Sequence, residues 1–353
     1  MIVALPAHES RSRICGQSDL GFKVISLRTC SIPATNPAMQ NGSMMTTERR
    51  SILTAHGVML SSVFVTSVSV VAAKVGLDNV QPIPFGAGRF VVGSLVLFAI
   101  GWGRGYQVWK PPPLRLIIPA GLIGVVANSL FFTFGLRLGS AVDVSLIIGL
   151  APIMTALLVL SIVRRPPPIR QVIALPVGFL GVMCVVGPSV AGGSHSVGDL
   201  VALGIPLTWS AFLVTVTAEA RRSPALVLAP WIMLSGLVVL LPLACVQTFD
   251  GQDHWGPAVL PLLISGVCGT AISYAANLWS LPRMGTTGTA IYGYLQPPIG
   301  AAAAAVWLGE EFGLAQLVGA AIILLAAVLA NWRGAEVGVA REYETVPPRR
   351  ALP

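Results

Sequence analysis

Residues 290–311 read AIYGYLQPPIGAAAAAVWLGEE, an apolar run of small residues interrupted in its middle by Gln296, Pro297 and Pro298. Each proline removes a backbone donor and crowds the preceding turn, so a soluble helix rarely carries such a pair inside an unbroken apolar run. Within a membrane such breaks are tolerated where neighbouring helices or a water-lined cavity satisfy the freed carbonyls. The stretch therefore predicts a membrane helix whose broken middle faces a cavity.

The composition of the 353-residue chain agrees: 54% is hydrophobic and only 10% charged, with a mean hydropathy of +0.79. Soluble domains carry roughly 25% charged residues, so this chain lacks the polar surface to stay in water. A membrane barrel would show short alternating segments; here the apolar runs are continuous and of the roughly 20-residue length that lets a helix cross. Ten such spans are expected, at about 52–73, 83–103, 114–136, 141–163, 169–187, 198–217, 225–246, 256–280, 286–308 and 313–332. Their connections are short and rich in proline, glycine and charge, as in WKPPPLR, RRPPPIR and TFDGQDHWG.

Residues 1–50 are polar and mixed and contain no apolar core of the signal-peptide kind. They are expected to form a disordered cytoplasmic tail; residues 333–353 are expected to form a cytoplasmic C-terminal tail. Met44 and Met45, just ahead of the first span, are candidate translational starts beside Met1. Cys184, Cys245 and Cys268 fall in apolar spans and Cys15 and Cys30 in the tail, with no spacing that suggests a disulfide framework or a metal site.

The net charge of +8 could point to nucleic acid, but its distribution follows the expected topology. One set of connections holds Arg104, Lys110, Arg115, Arg164, Arg165, Arg170, Arg221, Arg222 and Arg283, and the C-terminal tail adds four more arginines. The opposite set holds Lys74 and Arg137 beside Asp78, Asp199, Asp250, Asp253, Glu310 and Glu311. This is the positive-inside pattern, which places both termini in the cytoplasm and removes the need for a nucleic-acid partner.

The chain also repeats itself. RLGS at 137–140 returns as RMGT at 283–286, and the same offset of 146 residues carries Pro152 onto Pro298. Two halves follow, 51–187 and 198–332, each with five spans. An odd number of spans forces the copies into opposite orientations, an arrangement found in transporters whose substrate site lies near the midplane between the halves.

At this point the residues resemble the EamA family of the drug/metabolite transporter superfamily over about 52–332. The most specific piece is YLQPPIGAAAAAVWLGEEFGLAQLVGAAIILLAAVLA at 294–330, similar to the family's Tyr-Leu-x-Pro span, its Leu-Gly-Glu end and the Gln-x-x-Gly helix that follows. Pro84, Arg89 and Phe90 in the second span and Gly198-Asp199-Leu200 opening the sixth extend the match. The resemblance implies an all-α membrane protein of ten transmembrane helices in two inverted five-helix repeats, an inner-membrane transporter that moves small metabolites and often exports amino acids. The sequence departs from the family at Thr66 and Ser67, where an aromatic and a glycine are usual, and at SIVRRPPPIR, where Leu-Gly-Glu is absent.

Several polar residues within the spans are candidates for the transport path. Arg89 lies about six residues, or roughly 9 Å, inside the second span. A charge there is costly and is usually functional or paired; it could anchor a substrate carboxylate, reach back to the interface, or pair with Asp143. Asp143, in the first turn of the fourth span, reads as a helix N-terminal carboxylate. Ser62, Thr66 and Ser69 share one helix face, as do Thr289, Tyr292 and Gln296, and Tyr274 and Asn277. Asn128 adds an amide and Trp209 an aromatic. The substrate-binding set expected from sequence is thus Arg89, Asn128, Trp209, Tyr274, Asn277, Tyr292 and Gln296; each uncharged member alone is more often glue between helices, but as a ring they would supply the convergent polar groups of a pocket. Pro152, Pro297 and Pro298 are candidate hinges for alternating access.

No phosphate-binding G-x-x-x-x-G-K-[ST] loop occurs, so a gradient or an exchange rather than ATP is expected to drive transport. No cofactor or metal is expected. The partners expected are a small-molecule substrate and membrane lipid, with a homodimer as a candidate assembly. Two other readings remain at this stage: a membrane solute sensor that binds without transporting, and an intramembrane lipid enzyme, which would need a catalytic set that His8, His56, His195 and His254 do not supply by spacing.

Overall fold

The computed structural model describes residues 37–163, 173, 176–181, 183–184, 196–248, 253–309 and 313–331. Two compact units make up the chain, Met1–Thr46 and Thr47–Pro353. Of the first, only the opening of the first helix from Pro37 is described; the second holds the membrane helices.

The described residues are helical and contain no strand. Seven of their helices are long and apolar enough to cross a membrane. Helix α1 runs Pro37–Leu77, with its apolar part at Leu53–Leu77, and α2 runs Pro82–Gly103. Then follow α3 (Leu114–Leu138), α4 (Ala141–Ser161), α5 (Val197–Ala220), α6 (Ala225–Thr248) and α7 (Trp255–Thr286). Two shorter helices, α8 (Gln296–Leu308) and α9 (Leu314–Asn331), complete the described set. Of the fifth expected span, 169–187, residues 173, 176–181 and 183–184 are described and are helical, while its remainder, the C-terminal tail and most of the N-terminal one lie outside the described residues.

The ninth expected span is shorter than its apolar run because a 3-10 turn, Ile291–Leu295, replaces its first turns. Pro297 and Pro298 have no N–H to offer the carbonyls of Gly293 and Tyr294, so an α-helix cannot pass through that point. The Gln296 N–H bonds to Gly293 O instead, in the tighter pattern. The same physics breaks α4. Pro152 offers no donor to Ile148 O, and the chain tightens there with Gly149 N–H to Leu146 O and Leu150 N–H to Ile147 O, each 3.0 Å.

Several helix ends are satisfied by side chains from other elements. Backbone donors at the start of α2 go to side chains: Asp253 accepts from Gln81 N–H, at the N-cap, at 2.8 Å, and Gln247 accepts from Ile83 N–H at 2.9 Å. Ser140 caps α4 by accepting from Asp143 N–H at 2.9 Å. At the C-terminal ends of α1 and α3 the exchange is mutual. Lys74 Nζ donates to Leu136 O and Gly139 O at 2.6 and 2.8 Å, while the Arg137 guanidinium donates to Leu77 O.

Glycines let the helices approach closely, as small residues do in membranes. Gly121 of α3 sits against Ser235 and Gly236 of α6, and a Cβ on Gly266 of α7 would lie 2.7 Å from Val92 of α2. Large apolar side chains such as Leu95, Val238, Leu260 and Val306 cover the outside. In a multi-pass membrane protein that surface faces lipid, which is as apolar as the side chains themselves.

Candidate functional site

Two interruptions in long helices prepare the ground for the site. α3 carries a π-helical segment at Leu122–Ala127 and α7 another at Ser265–Ile272. A π turn leaves a carbonyl without its usual partner and re-aims the side chains that follow. One such carbonyl, Gly124 O, accepts from the Tyr274 hydroxyl. The Tyr274 ring then packs with Phe90, Trp209 and Phe212 at centroid distances of 5.2–5.7 Å.

Beside this aromatic group lies a cavity of about 100 Å³, to which α1, α2, α3, α5, α7, the break in α4 and the 3-10 turn before α8 all contribute. Six of the seven residues expected from sequence line it: Arg89, Asn128, Trp209, Tyr274, Asn277 and Gln296. Ser62, Thr66 and Ser69 present their shared face to it, and so does Thr289. Tyr292 does not line it; its hydroxyl is hydrogen-bonded to His56 Nδ1 on α1.

The polar groups divide by whether their bonding capacity is already used. Asn128 Nδ2 donates to Thr208 Oγ1 at 3.0 Å and to Ile205 O at 3.2 Å, tying α3 to α5. Asn277 Nδ2 donates to Ser273 O at 2.9 Å within its own helix, and Tyr274 is committed to Gly124. By contrast Arg89, only 6% exposed, makes no hydrogen bond or ion pair among the described residues, and its Nε is buried without a partner. The side chain of Gln296 and the Trp209 indole N–H likewise have no partner among the described residues, and Thr66 Oγ1 is buried and unsatisfied.

The Arg89 guanidinium lies 4.3 Å from the ring centroid of Phe132 and 5.2 Å from that of Phe90. Aromatic faces partly compensate a desolvated cation, yet all five N–H donors stay open. Asp143 is not its counter-ion; that carboxylate accepts from Gln316 Nε2 at 3.5 Å. The site thus presents a free guanidinium, a free carboxamide and a free indole N–H around a small, mostly apolar hollow. Such a set suits a small solute carrying a carboxylate.

Phe132 was not anticipated from sequence. A buried arginine in a span signals that some aromatic or anionic partner is needed, but not which of several phenylalanines supplies it. Pro152 and Pro297, two of the three expected hinge residues, meet the opposite break. A Cβ on Gly149 would lie 2.5 Å from Pro297 Cγ, and one on Gly293 would lie 3.5 Å from Pro152 Cγ. Pro298 stands beside Pro297 in the first turn of α8 and is half-buried. Among the described residues no cluster of three His, Cys, Asp or Glu side chains could hold a metal ion.

The model of the EamA-like transporter family matches this chain twice, over residues 53–187 and 196–332. A probable terminal-alkyne amino-acid exporter of Streptantibioticus cattleyicolor is 26% identical over 281 residues, which cover 79% of this chain and 93% of the exporter. The threonine/homoserine exporter RhtA of Salmonella typhimurium is 29% identical over 147 residues, 41% of this chain and 47% of RhtA. A solved crystal structure superposes with a TM-score of 0.57 at 19% identity, covering 77% of this chain and 96% of its own, a likeness of fold.

Proposed function

The chain belongs to the EamA-like transporter family, of the drug/metabolite transporter superfamily, and we propose that it is a secondary transporter that exports an amino acid or related small metabolite by alternating access. The observation that carries this reading is Arg89. An arginine inside a membrane helix costs up to about 2.5–3.5 kcal/mol on insertion scales, the figure for the helix centre, and among the described residues no side-chain acceptor offsets that cost. A charge left open in a cavity is what a solute carboxylate would complete. Gln296 and the Trp209 indole would take the solute's remaining acceptor groups, and the apolar wall would hold its side chain. The names of the two exporters above support amino acids as the class to test first.

In this reading ten helices form two inverted repeats, 51–187 and 198–332, and the helix irregularities support it. The offset of 146 residues carries the π segment of α3 onto residues 268–273, overlapping that of α7, and Ile148, at the break in α4, onto Tyr294, at the break before α8. It also carries Gly121, of the α3–α6 contact, to within one residue of Gly266, of the α7–α2 contact. Rocking of one repeat against the other would turn on Pro152, Pro297 and Pro298. The positive-inside pattern supports an inner, plasma-membrane location with both termini cytoplasmic. Residues 1–50 and 333–353 would then be cytoplasmic tails, and the mutual capping by Lys74 and Arg137 would lie at the external ends of α1 and α3.

The test is counterflow of labelled amino acids in proteoliposomes holding the wild type or Arg89→Ala. Saturable exchange that the folded variant has lost is the expected result. If amino acids raise the wild type's melting temperature yet none moves under any imposed gradient, transport falls and the chain is a solute sensor.

A further inference from the structure

A second and larger hollow, about 590 Å³, opens between α2 and α7 with edges from α1 and α6. It contributes nothing to the central cavity, with which it shares no lining residue. Its two ends differ in chemistry. At one lie Arg104, which directly follows the last residue of α2, and Arg283, three residues before the end of α7, together with Tyr106. From there the walls are apolar, formed on α2 by Val96, Leu97 and Ile100 and on α7 by residues from Trp279 back to Val267.

Arg283 is held in place by a bond from its guanidinium to Trp279 O and by stacking 3.7 Å from the Trp279 ring centroid. This uses one of its five donors and leaves the others available. Arg104 and the Tyr106 hydroxyl have no side-chain partner among the described residues. Among the described residues no carboxylate lines the hollow; Glu219, next to the lining residue Ala220, accepts from Ser223 Oγ at 2.7 Å. The described lining thus carries two cations and no anion.

Depth and length place this charge at the membrane surface. Trp102 and Trp109 are both strongly exposed, with centroids 6.4 Å apart, at the same end of α2 as Arg104. Exposed tryptophans mark the headgroup level of a bilayer. From Arg104 back to Val96 the wall on α2 measures roughly 12 Å, and from Arg283 back to Val267 that on α7 roughly 24 Å, at 1.5 Å per residue. The hydrocarbon of one leaflet, about 15 Å, lies between these lengths.

We propose that this groove binds one anionic glycerophospholipid, its phosphate held by Arg104 and Arg283 and an acyl chain laid along α2 and α7. A soluble anion would gain nothing from the apolar walls, and a zwitterionic lipid would bring its own cation to a site that already has two. The groove bridges α1, α2, α6 and α7, so an occupying lipid would brace the packing of the helix that carries Arg89.

The experiment is native mass spectrometry of the full chain titrated with phosphatidylglycerol or phosphatidylcholine of identical acyl chains. With about fivefold per basic contact, the wild type should retain phosphatidylglycerol about twenty-five-fold over phosphatidylcholine. Arg104→Gln with Arg283→Gln should bring the ratio close to one, while Lys110→Gln with Arg115→Gln, the same charge removed from the neighbouring connection, should leave it unchanged. An equal loss in both pairs, or none in the first, overturns the proposal. So does displacement of the lipid by inorganic phosphate, which would mark a site for free anions. Should the first pair not fold, wild type labelled with a diazirine-tailed phosphatidylglycerol decides: label must appear within 96–104 or 267–283, and label confined elsewhere overturns the assignment.

Discussion

Gly149, at the break in α4, faces Pro297, at the break before α8, so closely that a Cβ on the glycine would lie 2.5 Å from the proline Cγ. The φ of Gly149 is −59°, which any residue adopts. Space, not backbone freedom, therefore requires glycine here. Two helices that each lose a hydrogen bond to proline meet where both are weakest, and this contact borders the central cavity through Ile148, Ala151 and Gln296.

Gly149→Ala should consequently destabilise the protein by about 1–3 kcal/mol, the usual cost of overpacking, and slow exchange. Gly293→Ala, whose added Cβ would sit at an ordinary 3.5 Å from Pro152, should be tolerated. Thermal unfolding in detergent, paired with counterflow, checks the contrast. Equal behaviour of the two variants would mean that the breaks do not bear on each other as described.

Arg89→Lys separates charge from geometry. Lysine keeps a cation but presents a compact ammonium in place of a planar fork, and it loses part of the stacking on Phe132. Exchange of a carboxylate-bearing solute should fall at least about tenfold in Arg89→Lys, the loss of about 1.4 kcal/mol, and vanish in Arg89→Met. Phe132→Leu should weaken apparent affinity but leave exchange measurable, since the guanidinium itself stays and only a cation–π contact of roughly 2 kcal/mol is lost. Concentration dependence of counterflow in the three variants tests this order.

Much of the site is legible in the sequence because membrane physics leaves so few reasons for a polar residue within a span. Arg89, Asn128, Trp209, Tyr274, Asn277 and Gln296 converge on one cavity as their helix faces suggest, and the proline breaks fall where the missing donors require. Tyr292 shares a face with Gln296 only if the helix between them is regular. The 3-10 turn at Ile291–Leu295 changes the rotation per residue, and Tyr292 turns to His56. The π segments are illegible for a related reason. Neither Leu122–Ala127 nor Ser265–Ile272 contains a proline, so their geometry depends on partners such as Tyr274 that sequence order does not reveal.

Tyr274→Phe follows from that partner. Its hydroxyl is spent on Gly124 O, so its removal leaves a buried acceptor unpaired at a cost of about 1–3 kcal/mol. The ring stays, and with it the wall of the cavity. A lower melting temperature with substrate affinity nearly unchanged is therefore expected. A large loss of affinity at wild-type stability would instead assign the hydroxyl to the solute.

Lys74 and Arg137 offer the last prediction, because each caps the helix that carries the other. Three charge-assisted bonds join the ends of α1 and α3 at Leu77, Leu136 and Gly139. These carbonyls are the negative ends of two helix dipoles, so the cations offset both the dipoles and the missing intrahelical donors. If the chain works by the proposed alternating access in the proposed orientation, this clasp lies at the external side and would open each time the solute leaves. Charge-assisted bonds contribute about 1.5–3 kcal/mol each, enough to set the balance between the two access states. Lys74→Met should therefore raise the external accessibility of a cysteine placed at Thr66, on the cavity face of α1, read as the rate of labelling by a membrane-impermeant maleimide. Exchange should change with it, since one access state is favoured at the expense of the other. If labelling stays at the wild-type rate while the protein merely loses stability, the clasp is a helix cap and not part of a gate.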